Sequence, residues 1–290
     1  YGHDAEWHNK LYPQQKPTSK FPSFSRSRSY SFIRQSDVDD YPSYMTYMPT
    51  LEALQKQEVL WGTQVPYLAY LANKPYVVSQ VGGDIWFEAS RGDELGRLQR
   101  KAFSSSRAFL VSNPWSYAHA RRFGLNNLIY LPLILDQEVY DIGHGKSREQ
   151  WVQESGGDFF VLTSSRLDSR NKGSEIGIRG FAEFSKKHSG ARLVLIGWGN
   201  DLETNLGLLK DLEIVNKVII LPISGKARIR DYLRSADVFM DQFILGYYGS
   251  AGMEAMACGL PVIGRIETDQ YEAMCETGAP PIHNCSTQYE

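Results

Sequence analysis

Five short apolar runs in the second half of the chain most constrain the fold: "FFVLTSS", "RLVLIG", "KVIILP", "DVFMDQF" and "PVIG", between Phe159 and Gly264. Each carries side chains suited to burial on both faces, which is the pattern of strands inside a parallel sheet. Between them lie the helix-like segments "SEIGIRGFAEFSKKH", "DLETNLGLLKDL" and "KARIRDYLRS". Strands alternating with helices at this spacing predict βαβ units.

The first half repeats the plan from Glu58 onward, with strands in "EVLWG", "PYVVSQV", "AFLVSN" and "LIYLPL". Helices are expected in "TQVPYLAYLANK", "GDELGRLQRKAFSSS" and "PWSYAHARRFG". A polar stretch, Asp141 to Asp158, marks the boundary and predicts two α/β domains, 1–145 and 146–290. Residues 1–50 read as partly irregular, because "QQKPTSKFPSFSRSRSYS" has no sustained period. At 290 residues and 42% apolar side chains, the chain can bury two cores.

A formal charge of −2 gives no reason to expect a nucleic-acid binder. No apolar run approaches the roughly 18 to 20 residues of a membrane span. Cys258, Cys275 and Cys285 lack the spacing of a disulfide framework or a zinc site, which fits a reducing, cytoplasmic setting. The chain starts at Tyr1 without a methionine, so it reads as either processed or a fragment.

In open parallel sheets, ligands bind where strands end and loops lead into helices. The loop "SSRLDSRNKGSE" places Arg166 and Lys172 beside Gly173 and a helix start. Two cations near free backbone N–H groups suit a phosphate group, the other reading being an ordinary solvated loop. The stretch "GYYGSAGMEAMACGLPVIG" predicts a short helix that follows a turn at Gly249, is capped by Ser250, and ends at Gly259 and Pro261. Glu254 shares a face with the mouth of that helix and could accept hydrogen bonds from a ribose diol; the alternative is an exposed glutamate. "SDVDDY" offers Asp37 and Asp39 at the spacing of a metal-holding pair, but its polar surroundings favour a solvated turn, and no metal is expected.

Taken together, "SRLDSRNKGSEIGIRGF", "LVLIGWGN", "VIILPISGKARIRDYLRSADVFM" and "YYGSAGMEAMACGLPVIG" resemble the nucleotide-sugar half of retaining glycosyltransferases of family four. "VSQVGGDIWFE" and "FLVSNPWSYAHARRFGLNNLIYLPLILDQEVY" extend the likeness into the first half. The resemblance implies an α/β GT-B fold, two Rossmann-like domains facing each other across a cleft, with the N-terminal one on the acceptor side and incomplete. It implies a glycosyltransferase of the hexosyl type that moves a sugar from a nucleotide-diphosphate donor to an acceptor hydroxyl, with retention and with no metal or other cofactor.

By position, Arg166 and Lys172 would hold the diphosphate beside Gly173, and the N–H groups around Gly249, Ser250 and Ala251 would complete that site. Glu254 would bind the ribose, and the base would rest near Pro222, Ile223 and Ser224. Gly82, Gly83 and Asp84 would meet the transferred sugar and the acceptor. The acceptor would be a glycan, a lipid-linked molecule or a small molecule. Basic segments at Arg97–Phe103 and Ala120–Gly124 are either solvated helix faces or a peripheral contact with the inner face of a membrane.

Two positions depart from the family pattern: Gly246 stands where a glutamate is frequent, and Val81 where a histidine is frequent. They keep open a second reading, a transferase-like nucleotide-binding or interaction subunit without turnover. A sugar-nucleotide epimerase is a weaker third.

Overall fold

The computed structural model describes residues 44–63, 65–80, 82–136, 138–287 and 289. Asp37, Asp39, Val81 and the irregular segment as far as residue 43 lie outside the described residues. Among the described residues the chain forms two compact units, each built on one parallel sheet, with the division between Pro132 and Leu133.

The first unit runs α1 (Tyr44–Gln55), β1 (Leu60–Gly62), α2 (Pro66–Leu71), β2 (Tyr76–Ser79), a π-helical turn (Asp84–Glu88), α3 (Glu94–Ser105), β3 (Phe109–Val111), α4 (Pro114–Arg122) and β4 (Leu128–Tyr130). The strands lie in sequence order, β1-β2-β3-β4. Helix starts are set locally: Asp93 accepts from Gly96 N at 2.9 Å, and Asn113 accepts from Ser116 N at 2.8 Å ahead of Pro114. The stripe Leu95, Gln99, Ala102 and Phe103 of α3 turns inward, and Phe103 stacks on Phe109 at 4.5 Å. Helix α1 was not legible in the sequence, since its first half falls within residues 1–50, read as partly irregular.

The second unit runs α5 (Ser147–Ser155), β5 (Phe159–Thr163), α6 (Ser174–Lys187), β6 (Ala191–Ile196), α7 (Leu202–Asp211), β7 (Val218–Leu221), α8 (Lys226–Leu233), β8 (Val238–Met240), α9 (Ser250–Ala257), β9 (Val262–Gly264), α10 (Thr268–Met274) and β10 (Ile282–Asn284). Its strand order is β10-β9-β8-β5-β6-β7. Along β5 and β6, Phe160, Leu162, Val194 and Ile196 enter one core with Trp151 and Tyr232, while Val161, Leu193 and Leu195 enter another with Ile178 and Phe181. That alternation is the signature of a sheet covered on both faces. Each such side chain, fully buried, contributes on the order of 1.5–3 kcal/mol. The strands expected from the five apolar runs are present, and β10 adds a sixth.

Segment 133–145 lies with the second unit, so the division falls earlier in the chain than the polar stretch suggested. Tyr140 is buried in the second core, Gly145 N donates to Arg234 O at 3.1 Å, and Arg234 pairs with Asp141. Asp231 then receives Lys146 N at 2.7 Å and Ser147 Oγ at 2.5 Å, which starts α5. Polarity here reflects hydrogen bonds to α8, a signal that composition reads as a linker.

Candidate active site

Strand order reverses between β5 and β8: β6 follows β5 on one side, and β9 follows β8 on the other. Loops leaving the carboxyl ends of β5 and β8 diverge at this point and leave a crevice. A pocket opens there, lined among others by Ser165, Arg166, Lys172, Ser174, Asp241 and Phe243.

The loop after β5 is folded around Asp168. Its carboxylate accepts from Asn171 N and Asn171 Nδ2, each at 2.9 Å, and from Arg166 at 2.7 Å. Burial pushes its pKa up, but these donors outweigh burial and hold it below the ordinary carboxylate value. The backbone carbonyl of Asp168 accepts from Lys172 N at 2.8 Å and Gly173 N at 3.0 Å, closing the loop. Gly173 has φ +68, and a Cβ there would lie 2.9 Å from Ile244 Cγ1; both facts call for glycine. Arg166 keeps one hand on Asp168, while its Nε is buried with no hydrogen-bond partner among the described residues. Ser174 Oγ is in the same condition.

Lys172 Nζ donates to Gln242 Oε1. Burial lowers its pKa, opposed by the negative charge of Asp241. Asp241 is 5% exposed and accepts from Gly249 N at 2.8 Å and Ser165 Oγ at 3.1 Å. Burial pushes its carboxyl up, against the pull of Lys172 and those two donors. A Cβ on Gly249 would sit 3.8 Å from Lys172 Nζ, so the ammonium lies at the mouth of α9. A Cβ on Gly252 would lie 2.5 Å from Asp241 Oδ2, so this glycine lets α9 rest directly on the carboxylate. The cap of α9 is Gly249, and Ser250 is its first helical residue with no side-chain cap bond, which corrects the expectation that Ser250 caps the helix. The first N–H groups of α9 have no partner within the helix by construction, and they add a partial positive charge beside Lys172. The helix ends as expected, with Gly259 at φ +76.

Glu254 is 5% exposed and lies one turn into α9, outside the lining of this pocket. Its Oε1 pairs with Lys226, the first residue of α8. On its other flank stands Tyr140, whose hydroxyl is pushed up to about 12 by burial and then by the charge of Glu254. Pro222, Ile223 and Ser224 form the loop between β7 and α8, with Ser224 Oγ donating to Pro222 O at 2.9 Å. Arg166, Lys172, Gly173, Gly249 and the start of α9 are thus brought together, and Glu254 faces the adjacent start of α8.

In the first unit, Gly82, Gly83 and Asp84 leave the carboxyl end of β2. Asp84 is buried and accepts from Gly82 N at 2.9 Å and Ile85 N at 3.0 Å, so its carboxylate builds the π-helical turn. Gly82 has φ +114, and a Cβ would meet the Trp86 ring at 3.0 Å. Sequence reasoning missed Asp241, Gln242, Lys226 and Tyr140. The available signal was "DQ" ending an otherwise apolar strand, since polar residues at a buried strand's carboxyl end are placed to hold loops.

Residues 146–273 match the family model described as Glycosyl transferases group 1. Among curated proteins, the chain is 29% identical over 121 residues to an alpha-monoglucosyldiacylglycerol synthase of Acholeplasma laidlawii, covering 42% of this chain and 30% of that protein. It is 31% identical over 112 residues to a D-inositol 3-phosphate glycosyltransferase of Acidothermus cellulolyticus, covering 36% and 25%. The aligned chain therefore spans less than a third of either relative. Among solved structures, Alr3699/HepE of Anabaena in complex with UDP and glucose matches with a TM-score of 0.63 at 18% identity, over 76% of this chain and 62% of that one. That likeness shows the fold, which is GT-B. The likeness to the glycosyl transferases of group 1 thus lies in residues 146–273, within the second unit.

Proposed function

We propose that the protein transfers a sugar from a nucleotide-diphosphate donor to an acceptor hydroxyl, with retention and without a metal ion. One observation supports this reading most: Arg166, with a buried and unpartnered Nε, and Lys172 meet the mouth of α9 at the strand-order reversal. Breaking a sugar–diphosphate bond leaves an oxocarbenium-like sugar and a leaving group of growing negative charge. Two fixed cations and a helix terminus meet that charge without reorganising, and loss of one such group costs on the order of 10²- to 10³-fold in rate. With retention, the acceptor attacks on the face the diphosphate leaves, and a donor phosphate oxygen takes its proton. No protein nucleophile is needed.

In this reading Glu254 exchanges Lys226 for the ribose hydroxyls, and the loop Pro222–Ser224 meets the base through its main chain. The UDP named with the structural neighbour makes uridine donors the first to try. A hexose as the transferred group, a cytoplasmic setting and a peripheral membrane contact belong to the same proposal. Incubating the protein with UDP-, GDP- and ADP-sugars, together with diacylglycerol and D-inositol 3-phosphate as acceptors, and following nucleotide release tests it. Release with any donor supports transfer.

A subunit that binds nucleotide without turnover is the second reading, favoured by Gly246: it supplies only a backbone carbonyl, which accepts from Glu267 N at 3.0 Å, at a position where the family often carries a carboxylate. Binding without release across the panel selects it.

A further inference from the structure

Trp198 is 37% exposed although it lies in a tightly held loop at the carboxyl end of β6. Strand β6 sits between β5, whose loop carries Arg166 and Lys172, and β7, whose loop is Pro222–Ser224. The loop is fastened on both sides. Gly197 N donates to Leu221 O at 2.9 Å, extending the ladder with β7, and Leu167 N donates to Trp198 O at 2.9 Å. Gly199 has φ +126, and a Cβ there would lie 2.3 Å from Leu167 O, so only glycine allows the two loops to close. The indole itself is anchored, with Nε1 donating to Ser164 O at 3.1 Å.

A tryptophan whose N–H is already satisfied by the protein offers the outside only its ring carbons. Such a surface is rigid, flat and weakly negative on its face, suited to stacking a planar π system. Neighbouring strands lie about 4.8 Å apart. The ring is thus one strand from the loop that carries Arg166 and Lys172, and one strand from the loop Pro222–Ser224 on its other side.

We infer that Trp198 is the platform on which the nucleobase of the donor stacks. The inference rests on the proposed nucleotide site and adds a side-chain determinant of base affinity to the main-chain loop at Pro222–Ser224. A sugar ring also packs on indole, but a nucleoside diphosphate carries no transferred sugar, so the two occupants separate experimentally.

The test measures equilibrium binding of UDP, GDP, ADP and inorganic pyrophosphate to the 290-residue chain, and to Trp198→Ala and Trp198→Phe. The expected result is about a tenfold loss of the tightest-binding nucleoside diphosphate in Trp198→Ala, in line with base–aromatic stacking. Trp198→Phe, which keeps a ring but not the anchor to Ser164, should lose less, and pyrophosphate should bind all three proteins alike. Equal affinity of wild type and Trp198→Ala for every nucleotide overturns the inference. So does a parallel loss for nucleotide and pyrophosphate, which would mean that the ring merely supports the loop. Pyrophosphate binding by wild type with no gain from any nucleoside overturns the inference and leaves the phosphate site standing. Failure of wild type to bind any of the four overturns the site itself.

Discussion

Lys226, at the first position of α8, holds Oε1 of Glu254, a buried residue one turn into α9. The lysine side chain is 70% exposed and the glutamate 7%, so the cation can leave for water while the anion stays. A buried carboxylate with one removable partner is prepared to accept replacement donors, and the hydroxyls of a ribose are such donors.

Glu254→Gln should therefore weaken UDP binding by about tenfold, in line with losing hydrogen bonds to a charged group, and leave pyrophosphate unchanged. Lys226→Ala should cost on the order of 1–3 kcal/mol of stability, because it leaves a buried carboxylate short of a partner, and should hold UDP at least as well as wild type. Calorimetric titration of both ligands checks this. A Lys226→Ala protein that loses UDP as Glu254→Gln does would show that the lysine itself is a ligand.

Gly173 joins a left-handed backbone to a close approach on Phe243 and Ile244. Gly173→Ala should destabilise by about 1–3 kcal/mol, the range for strain at such a position, and shift the loop that carries Lys172. Denaturant unfolding reads the first effect. Unchanged stability would mean that the loop relaxes freely, against the packing described here.

Tyr76 anchors the first unit, its hydroxyl donating to Ala102 O at 2.6 Å, and burial raises its pKa from 10.0 to about 12. A raised tyrosine pKa means that the folded state resists ionisation. Its contribution to stability is fully present below pH 10 and is lost as pH rises through about 12. Tyr76→Phe should remove about 1 kcal/mol at neutral pH and flatten the decline in stability across that alkaline window. Unfolding curves at stepped pH compare the two proteins; parallel declines would contradict the assignment.

How much of this was written in the sequence differs between fold and site. The runs from Phe159 to Gly264 announced a parallel sheet because strands buried on both faces leave no alternation to misread. Helix α1, β10 and the π-helical turn at Asp84 gave no comparable signal, since β10 is three residues long and the turn is held by one carboxylate rather than by a period. Arg166, Lys172 and Gly249 were legible as loop residues at strand ends. Asp241 and Lys226 were not, because what makes them part of the site is contact across 76 residues to Ser165 and across 28 to Glu254. Asp84 was expected to meet the transferred sugar and the acceptor, and its Oδ1 is engaged by the turn it builds.

In the proposed function, Arg166 and Lys172 form one diphosphate site at the mouth of α9. Its most direct test is equilibrium binding of UDP and of uridine to wild type, Arg166→Ala and Lys172→Ala. Each substitution should weaken UDP by tenfold or more while leaving the feebler binding of uridine where it was; UDP affinity untouched by both, or uridine lost in step with it, would contradict the account.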